Sequence, residues 1–190
     1  HAGAALMPGW PLDPLYAHLA AAMLAIVLLV GAAQKLADRD AFAGALAQYR
    51  LLPESWVDPA AWLLPLAELA AGTLLLPLAT RSGGAWAALA LLALVTGAVA
   101  INLLRGRSHI DCGCGGPEGR QHLSWWLVVR NAVLGSMALT ALAPVAAREL
   151  MWLDGLTVAT GAIGLYLLYA VCNQLLANAP RLLELKGVER

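Results

Sequence analysis

The sequence predicts an all-α integral membrane protein with five transmembrane helices, and three observations carry that prediction. Of the 190 residues, 61% are hydrophobic and 13% are charged. The apolar residues fall into blocks of about twenty, the length at which a helix rising about 1.5 Å per residue covers the hydrocarbon of a bilayer. Charges, prolines and glycines collect between the blocks and mark where each helix ends. No connection is long enough to hold a soluble domain of its own, so residues 1–190 read as a single transmembrane domain.

Taken in order, the blocks place spans at Leu15–Leu36, Ala60–Ala79, Gly84–Leu104, Leu123–Ala143 and Thr157–Ala177. The chain starts at His1 rather than Met, which suggests a processed or trimmed start, and nothing before the first block reads as a secretory signal. Between the first two spans, Asp38, Arg39 and Asp40 precede an amphipathic stretch with Phe42, Leu46, Tyr49, Leu51 and Leu52, closed by Pro53. That pattern predicts a helix lying along the membrane surface. Spans two and three are joined by Thr80-Arg81-Ser82-Gly83, short enough to force an antiparallel hairpin. Small residues such as Gly72, Gly97, Gly135, Gly161 and Gly164 allow close helix approach.

Charge sets orientation and excludes one class of function. The formal net charge is zero and no basic run occurs, so the electrostatic drive for nucleic-acid binding is missing. One face of the membrane receives Lys35, Arg39, Arg50, Arg105, Arg107, Arg120, Arg181, Lys186 and Arg190, against Arg81 and Arg148 on the other. The positive-inside rule therefore predicts that the connection between spans three and four, and the C-terminus, are cytoplasmic.

That connection holds the chemistry. Cys112 and Cys114 flank Gly113 within Asp111-Cys112-Gly113-Cys114-Gly115-Gly116-Pro117, and Cys172 is the third cysteine. Three cysteines are too few for a disulfide scaffold, and no second pair completes a zinc site. A redox pair plus one further thiol remains. Gly113 lets the backbone reach turn conformations that close a small, readily reduced ring. The following glycines leave the sulfurs little cover against a partner thiol. Asp111 opposes a low thiolate pKa, whereas Arg105, Arg107 and His109 favour one. A permanent surface bridge and a Cu(I) transfer site are the competing readings of the pair.

Alternation of the spans brings Lys35, Asn102, Arg130, Asn131, Cys172 and Asn173 to the same half of the bilayer as the hinge. Counted inward, Glu68 lies about 12 Å and Arg130 about 10 Å below that surface. A buried acid and a buried arginine at one depth predict a Glu68–Arg130 contact. Lys35 ends its span where snorkelling is the default, with support of a thiolate as the alternative. Asn102 and Asn131 read as interhelical hydrogen-bonding groups. Cys172 reads either as a small buried filler or as a thiol that trades disulfides with the hinge, on a helix face shared by Tyr166, Tyr169 and Asn173. His122, Trp125 and Trp126 open span four at the interface, where a quinone headgroup is the one cofactor the sequence suggests.

These residues carry a family resemblance. Gly31 to Lys35, Leu64-Pro65-Leu66-Ala67-Glu68, Asn102-Leu103-Leu104-Arg105-Gly106 leading into the cysteine hinge, and Trp125-Trp126 followed by Arg130-Asn131 resemble the methylamine utilisation protein MauE family, itself related to DoxX-like membrane proteins. The resemblance implies a four-helix bundle with an added fifth C-terminal helix in the bacterial inner membrane. It also implies a role with a thioredoxin-like partner, MauD, in maturing the disulfide-rich small subunit of methylamine dehydrogenase. Carried over, it points to Cys112 and Cys114, with Lys35, Glu68, Asn102, Arg130 and Asn131 as a polar cluster beneath them. A periplasmic substrate and a cytoplasmic hinge together imply either electron relay across the bundle, with Cys172 as a further thiol, or a misplaced hinge. The expected function is thus thiol–disulfide oxidoreduction, with a small-solute or soft-metal carrier and a non-catalytic scaffold subunit as the rivals.

Overall fold

The computed structural model describes residues 12–113 and 122–188, with side chains as far as residue 178. Among the described residues there are six helices and no strand: α1 (Pro14–Ala37), α2 (Arg39–Tyr49), α3 (Glu54–Leu74), α4 (Arg81–Leu104), α5 (Trp125–Leu142) and α6 (Trp152–Val188). Helices α1, α4 and α5 and the Trp152–Asn178 part of α6 are long and apolar enough to cross a membrane, four in all. α3 falls short of that apolarity because it carries Glu54, Asp58 and Glu68 as well as two internal prolines, Pro59 and Pro65.

Local chemistry sets the boundaries. Asp13 caps α1, its carboxylate accepting from the Leu15 N–H at 2.9 Å, and Pro14 fills the first turn, where a missing N–H costs nothing. Asp38 ends α1 by donating its N–H to the Gln34 carbonyl, and it starts α2 by accepting from the Ala41 N–H at 3.1 Å. The chain bends there without a loop. α2 is the helix expected between the first two spans, and it buries Phe42, Ala45 and Tyr49 on one stripe.

The helix standing where the second span was expected is displaced from the expected position. α3 begins at Glu54 and ends at Leu74 instead of running from Ala60 to Ala79, and the turn to α4 occupies residues 75–80. Pro77 stops the helix, and the Thr80 hydroxyl donates to the orphan Leu74 carbonyl at 2.9 Å. The turn is tight: a Cβ on Gly84 would lie 2.7 Å from the backbone of Leu74 and Leu75.

Helices α1, α3, α4 and α5 form a closed ring in which each packs on its two neighbours, and α6 docks on the outside of α1. Their shared core is Leu24, Ala25 and Leu28 from α1, Ala71 of α3, Ala85 and Ala88 of α4, and Leu134 and Ala138 of α5, with Leu75 at its edge. Alanine at so many contact positions brings the helices close. At the end away from the cysteine hinge, Leu12 and Val145 form a parallel bridge, and Arg148 holds Asp13 at 3.3 Å and Asp154 at 2.9 Å. The expected four-helix bundle with an added C-terminal helix describes this architecture.

Candidate functional site

The described start of the cysteine hinge, as far as Gly113, is folded under α2. Gly106, with φ at +71°, turns the chain out of α4, and the Arg107 guanidinium then donates to the Gln48 carbonyl at 2.8 Å, the Tyr49 carbonyl at 3.2 Å and Asn102 Oδ1 at 3.2 Å. A cation on the last carbonyls of α2 satisfies groups the helix leaves unpaired and complements its dipole. The Asp111 carboxylate accepts from the Gly113 N–H at 3.0 Å, closing a local turn, and an antiparallel bridge joins Asp111 to His122. Gly113 has φ at +69°, and a Cβ there would come within 3.1 Å of Ala45 and 3.2 Å of Phe42. Glycine is required twice, by conformation and by clearance.

Cys112 is disulfide-bonded and only 6% exposed, packed among Tyr49, Val99, Ile110, Leu123 and Leu127. The expectation of sulfurs with little cover is therefore corrected for this residue. The α2 stripe and the start of α5 close over it, which the glycines in the hinge sequence did not reveal. Cys114 lies outside the described residues. The Tyr49 hydroxyl donates to the Cys112 carbonyl at 3.3 Å. Burial, reinforced by the Asp111 carboxylate and opposed by Arg130, pushes the Tyr49 phenol up to about 12.

The buried ion pair is not the one expected. Lys35 Nζ lies 2.6 Å from both Glu68 carboxylate oxygens, with the two side chains 14% and 10% exposed. Lys35 neither snorkels nor leaves Glu68 to Arg130. α1 and α3 are in direct contact, so the lysine at the end of α1 reaches across to the acid on its neighbour. The Arg130 guanidinium instead donates to Asn173 Oδ1 at 3.0 Å and Asn131 Oδ1 at 3.3 Å, and stacks 6.0 Å from the Tyr169 ring. Lys35, Glu68, Arg130, Asn131 and Tyr169 still border one small cavity of about 80 Å³. Asn131 Nδ2 donates to Thr96 Oγ1 at 3.0 Å across the α4–α5 contact, as expected of an interhelical group. Asn102, fully buried, bonds within its own helix to the Ala98 carbonyl at 3.1 Å and outward to Arg107.

A larger cavity of about 500 Å³ joins the two features. Lys35 and Glu68 border it, as do Phe42, Tyr49 and Cys112, and the rest of its wall is aliphatic. The other candidates lie elsewhere. Cys172 is a free, exposed thiol rather than a buried filler, and it borders a separate cavity of about 270 Å³ with Trp126, Arg130, Tyr169 and Asn173. His122 borders a fourth, of about 370 Å³, with His109, and its Nδ1 lies 3.1 Å from the His109 carbonyl. Trp125 is 56% exposed and Trp126 43%, and Trp126 borders the Cys172 cavity while His122 borders the other. Among the described residues no group of three or more His, Cys, Asp or Glu is placed to hold a metal ion.

Comparison with known proteins gives this geometry a family. The model of the methylamine utilisation protein MauE family matches residues 13–144, which is α1 to α5 with the hinge. The chain belongs to the MauE family. It is 37% identical over 163 residues to methylamine utilization protein MauE of Methylophilus methylotrophus, covering 85% of this chain and 86% of the relative. To the protein of the same name from Paracoccus versutus it is 38% identical over 182 residues, 92% of this chain and 96% of the relative. To that of Paracoccus denitrificans it is 38% identical over 135 residues, 70% and 72% of the two chains. No solved structure matches. With its apolar helices, this MauE-family chain is a multi-pass membrane protein. The family model ends before α6, while the likeness to the Paracoccus versutus relative spans 92% of the chain and so reaches into that helix.

Sequence reasoning missed Arg107, Phe42 and Tyr49 as parts of the site. Arg107 was legible as a positive charge favouring a thiolate near the hinge, and not as the group that clamps the end of α2. Phe42 and Tyr49 were read as the membrane face of a surface helix, and the structure turns that stripe onto the hinge.

Proposed function

We propose that this protein is a membrane thiol–disulfide redox protein serving methylamine utilisation, in which Cys112 and Cys114 cycle between disulfide and dithiol by exchange with a thioredoxin-like partner of the MauD kind. The observation that carries the reading is Cys112, already disulfide-bonded, in a glycine-rich hinge clamped beside a buried ion pair. A structural bridge needs no cavity or charge beside it.

The exchange balances simply. A thiolate of the reduced partner attacks one hinge sulfur, the hinge S–S bond breaks, and the other hinge sulfur leaves as a thiolate. The partner's second thiolate then attacks the mixed disulfide, leaving the partner oxidised and the hinge as a dithiol. Because Cys112 is buried under α2, the proposal makes Cys114 the sulfur that the partner attacks and Cys112 the sulfur that leaves as the thiolate. The substrate class is a disulfide-rich secreted protein such as the small subunit of methylamine dehydrogenase. The proposal places the chain in the bacterial inner membrane with α3 as a fifth span, since its 21 residues give about 31 Å of helix between α1 and α4. By charge count the hinge faces the cytoplasm, so in this proposal electrons are relayed across the bundle between the hinge and the secreted substrate.

Trapping tests the exchange. Cys112→Ser is expected to form, with a thioredoxin-like protein in its disulfide form, a covalent adduct through Cys114 that is seen on a non-reducing gel and lost on adding reductant. If neither this variant nor Cys114→Ser gives an adduct, and a double serine variant supports growth on methylamine as well as the parent, the proposal fails.

A further inference from the structure

The 500 Å³ cavity beside Cys112 has a size typical of small-molecule sites, about 300 to 1,000 Å³, and its wall is chemically lopsided. Its wall includes the Lys35 ammonium, the Glu68 carboxylate and the Tyr49 side chain with Cys112. The remainder is aliphatic and includes Leu51, Leu52, Leu94 and Ile101, which are 36%, 41%, 58% and 42% exposed. On a membrane helix such as α4, exposed leucine and isoleucine face lipid. The cavity therefore has a lipid-facing aliphatic margin and a shielded ion pair in the same wall.

A water-soluble ligand has no use for the margin, and an acyl chain has none for the ion pair. We propose that this cavity is a binding site for a lipid-soluble quinone, with its tail along Leu94 and Ile101 and a ring carbonyl hydrogen-bonded by the Lys35 ammonium. The electron step rests on the thiol-exchange reading above for its donor. The hinge dithiol loses two S–H bonds and forms one S–S bond. The two electrons and two protons released reduce the quinone to the quinol, so atoms and charge balance without another reactant. Combined with exchange, the net reaction carries two electrons from the partner dithiol to the quinone pool.

Gly97 provides the test. It lines the cavity, and a Cβ built on it meets no atom within 4 Å, so a larger side chain there fills the cavity without displacing a helix. Purified full-length protein in its oxidised form is titrated with a short-chain ubiquinone analogue, and after anaerobic reduction and removal of reductant it is mixed with the same compound while quinone bleaching is followed. The parent is expected to bind the analogue and, when reduced, to convert one equivalent to quinol. Gly97→Leu is expected to weaken binding by about tenfold or more and Gly97→Ala by less than about threefold, with partner trapping unchanged in both. The Cys112→Ser/Cys114→Ser protein is expected to bind the analogue and reduce none. The proposal is overturned if the oxidised parent does not bind, if Gly97→Leu binds as the parent does while its helical content is intact, or if a simple long-chain alcohol competes as well as the quinone. Binding without any partner adduct would overturn the exchange reading and leave the site. Adducts without quinone binding would do the reverse.

Discussion

Replacing Glu68 by glutamine tests how the polar cluster is held. Glu68 accepts both hydrogen bonds of its ion pair from a single ammonium at 2.6 Å, and both side chains are nearly shielded. The neutral amide would keep the shape but leave the Lys35 charge uncompensated among Phe42, Leu64 and the aliphatic wall of the cavity. Breaking a buried pair by neutralising one partner costs about 3 to 5 kcal/mol, and an unpaired charge in a membrane helix costs about 3 kcal/mol on insertion scales. With side chains 14% and 10% exposed, the expected loss sits at the lower end, about 3 kcal/mol. The assay is a double-mutant cycle of Glu68→Gln, Lys35→Met and the pair together, read as unfolding free energy in mild detergent. The double variant is expected to recover most of the loss, because removing both charges also removes the desolvation cost of each. Strictly additive single effects, or a Glu68→Gln protein within about 0.5 kcal/mol of the parent, would refute the assignment of Lys35 as the partner of Glu68.

Neighbouring glycines at the start of α4 should respond in opposite senses: Gly84→Ala forces a Cβ to 2.7 Å from the α3 terminus, whereas Gly83→Ala meets nothing within 4 Å. Overpacking is expected to cost Gly84→Ala about 1 to 3 kcal/mol, while Gly83→Ala gains up to about 1 kcal/mol of helix propensity, both read from thermal unfolding. Arg107→Ala removes donors from Gln48, Tyr49 and Asn102, so reduced Cys112 should be alkylated several-fold faster; Arg107→Lys should not restore the parent rate, because one ammonium does not match the fork. Tyr49 stays protonated in the folded chain up to about 12, against an ordinary 10.0. The unfolded chain releases that proton first, so stability falls as pH rises through that window. Parent protein should lose more of its thermal midpoint there than Tyr49→Phe, and an equal loss in both would refute the buried-phenol assignment.

The helical architecture was legible because its signals are one-dimensional. Blocks of apolar residues and the charged break at Asp38 each act on the chain locally, and α1, α2, α4 and α5 fall close to where those signals put them. α3 was displaced because hydropathy weighs Leu75, Leu76 and Leu78 as membrane residues, whereas Pro77 and the packing of Gly84 on Leu74 turn them into a connection. Conversely, Glu54, Trp56 and Asp58 looked too polar to belong to a span, yet Pro53 and the following turn start the helix there. Apolarity decides where a helix can sit in a bilayer; proline and steric clearance decide where it stops.

The site was legible in height and illegible in angle. Counting residues along two helices fixed the depth of Glu68 and Arg130 well enough to bring both to one small cavity. Depth says nothing of which neighbour stands beside which, and that follows from the order of helices around the ring. α3 contacts α1 and α4, while α5 contacts α4 and α1, so Glu68 and Arg130 sit on non-adjacent members with α1 between them. Lys35, on that intervening helix, takes the carboxylate at 2.6 Å and leaves Arg130 to the residues α6 brings to it, Tyr169 and Asn173. The same ring order explains the hinge. A loop leaving α4 and entering α5 has α3 on its far side, and α2, attached to α3, is the element that reaches over it. That is how Phe42, Ala45 and Tyr49 come to cover a cysteine more than sixty residues away, and it makes α2 the element whose displacement governs access to Cys112.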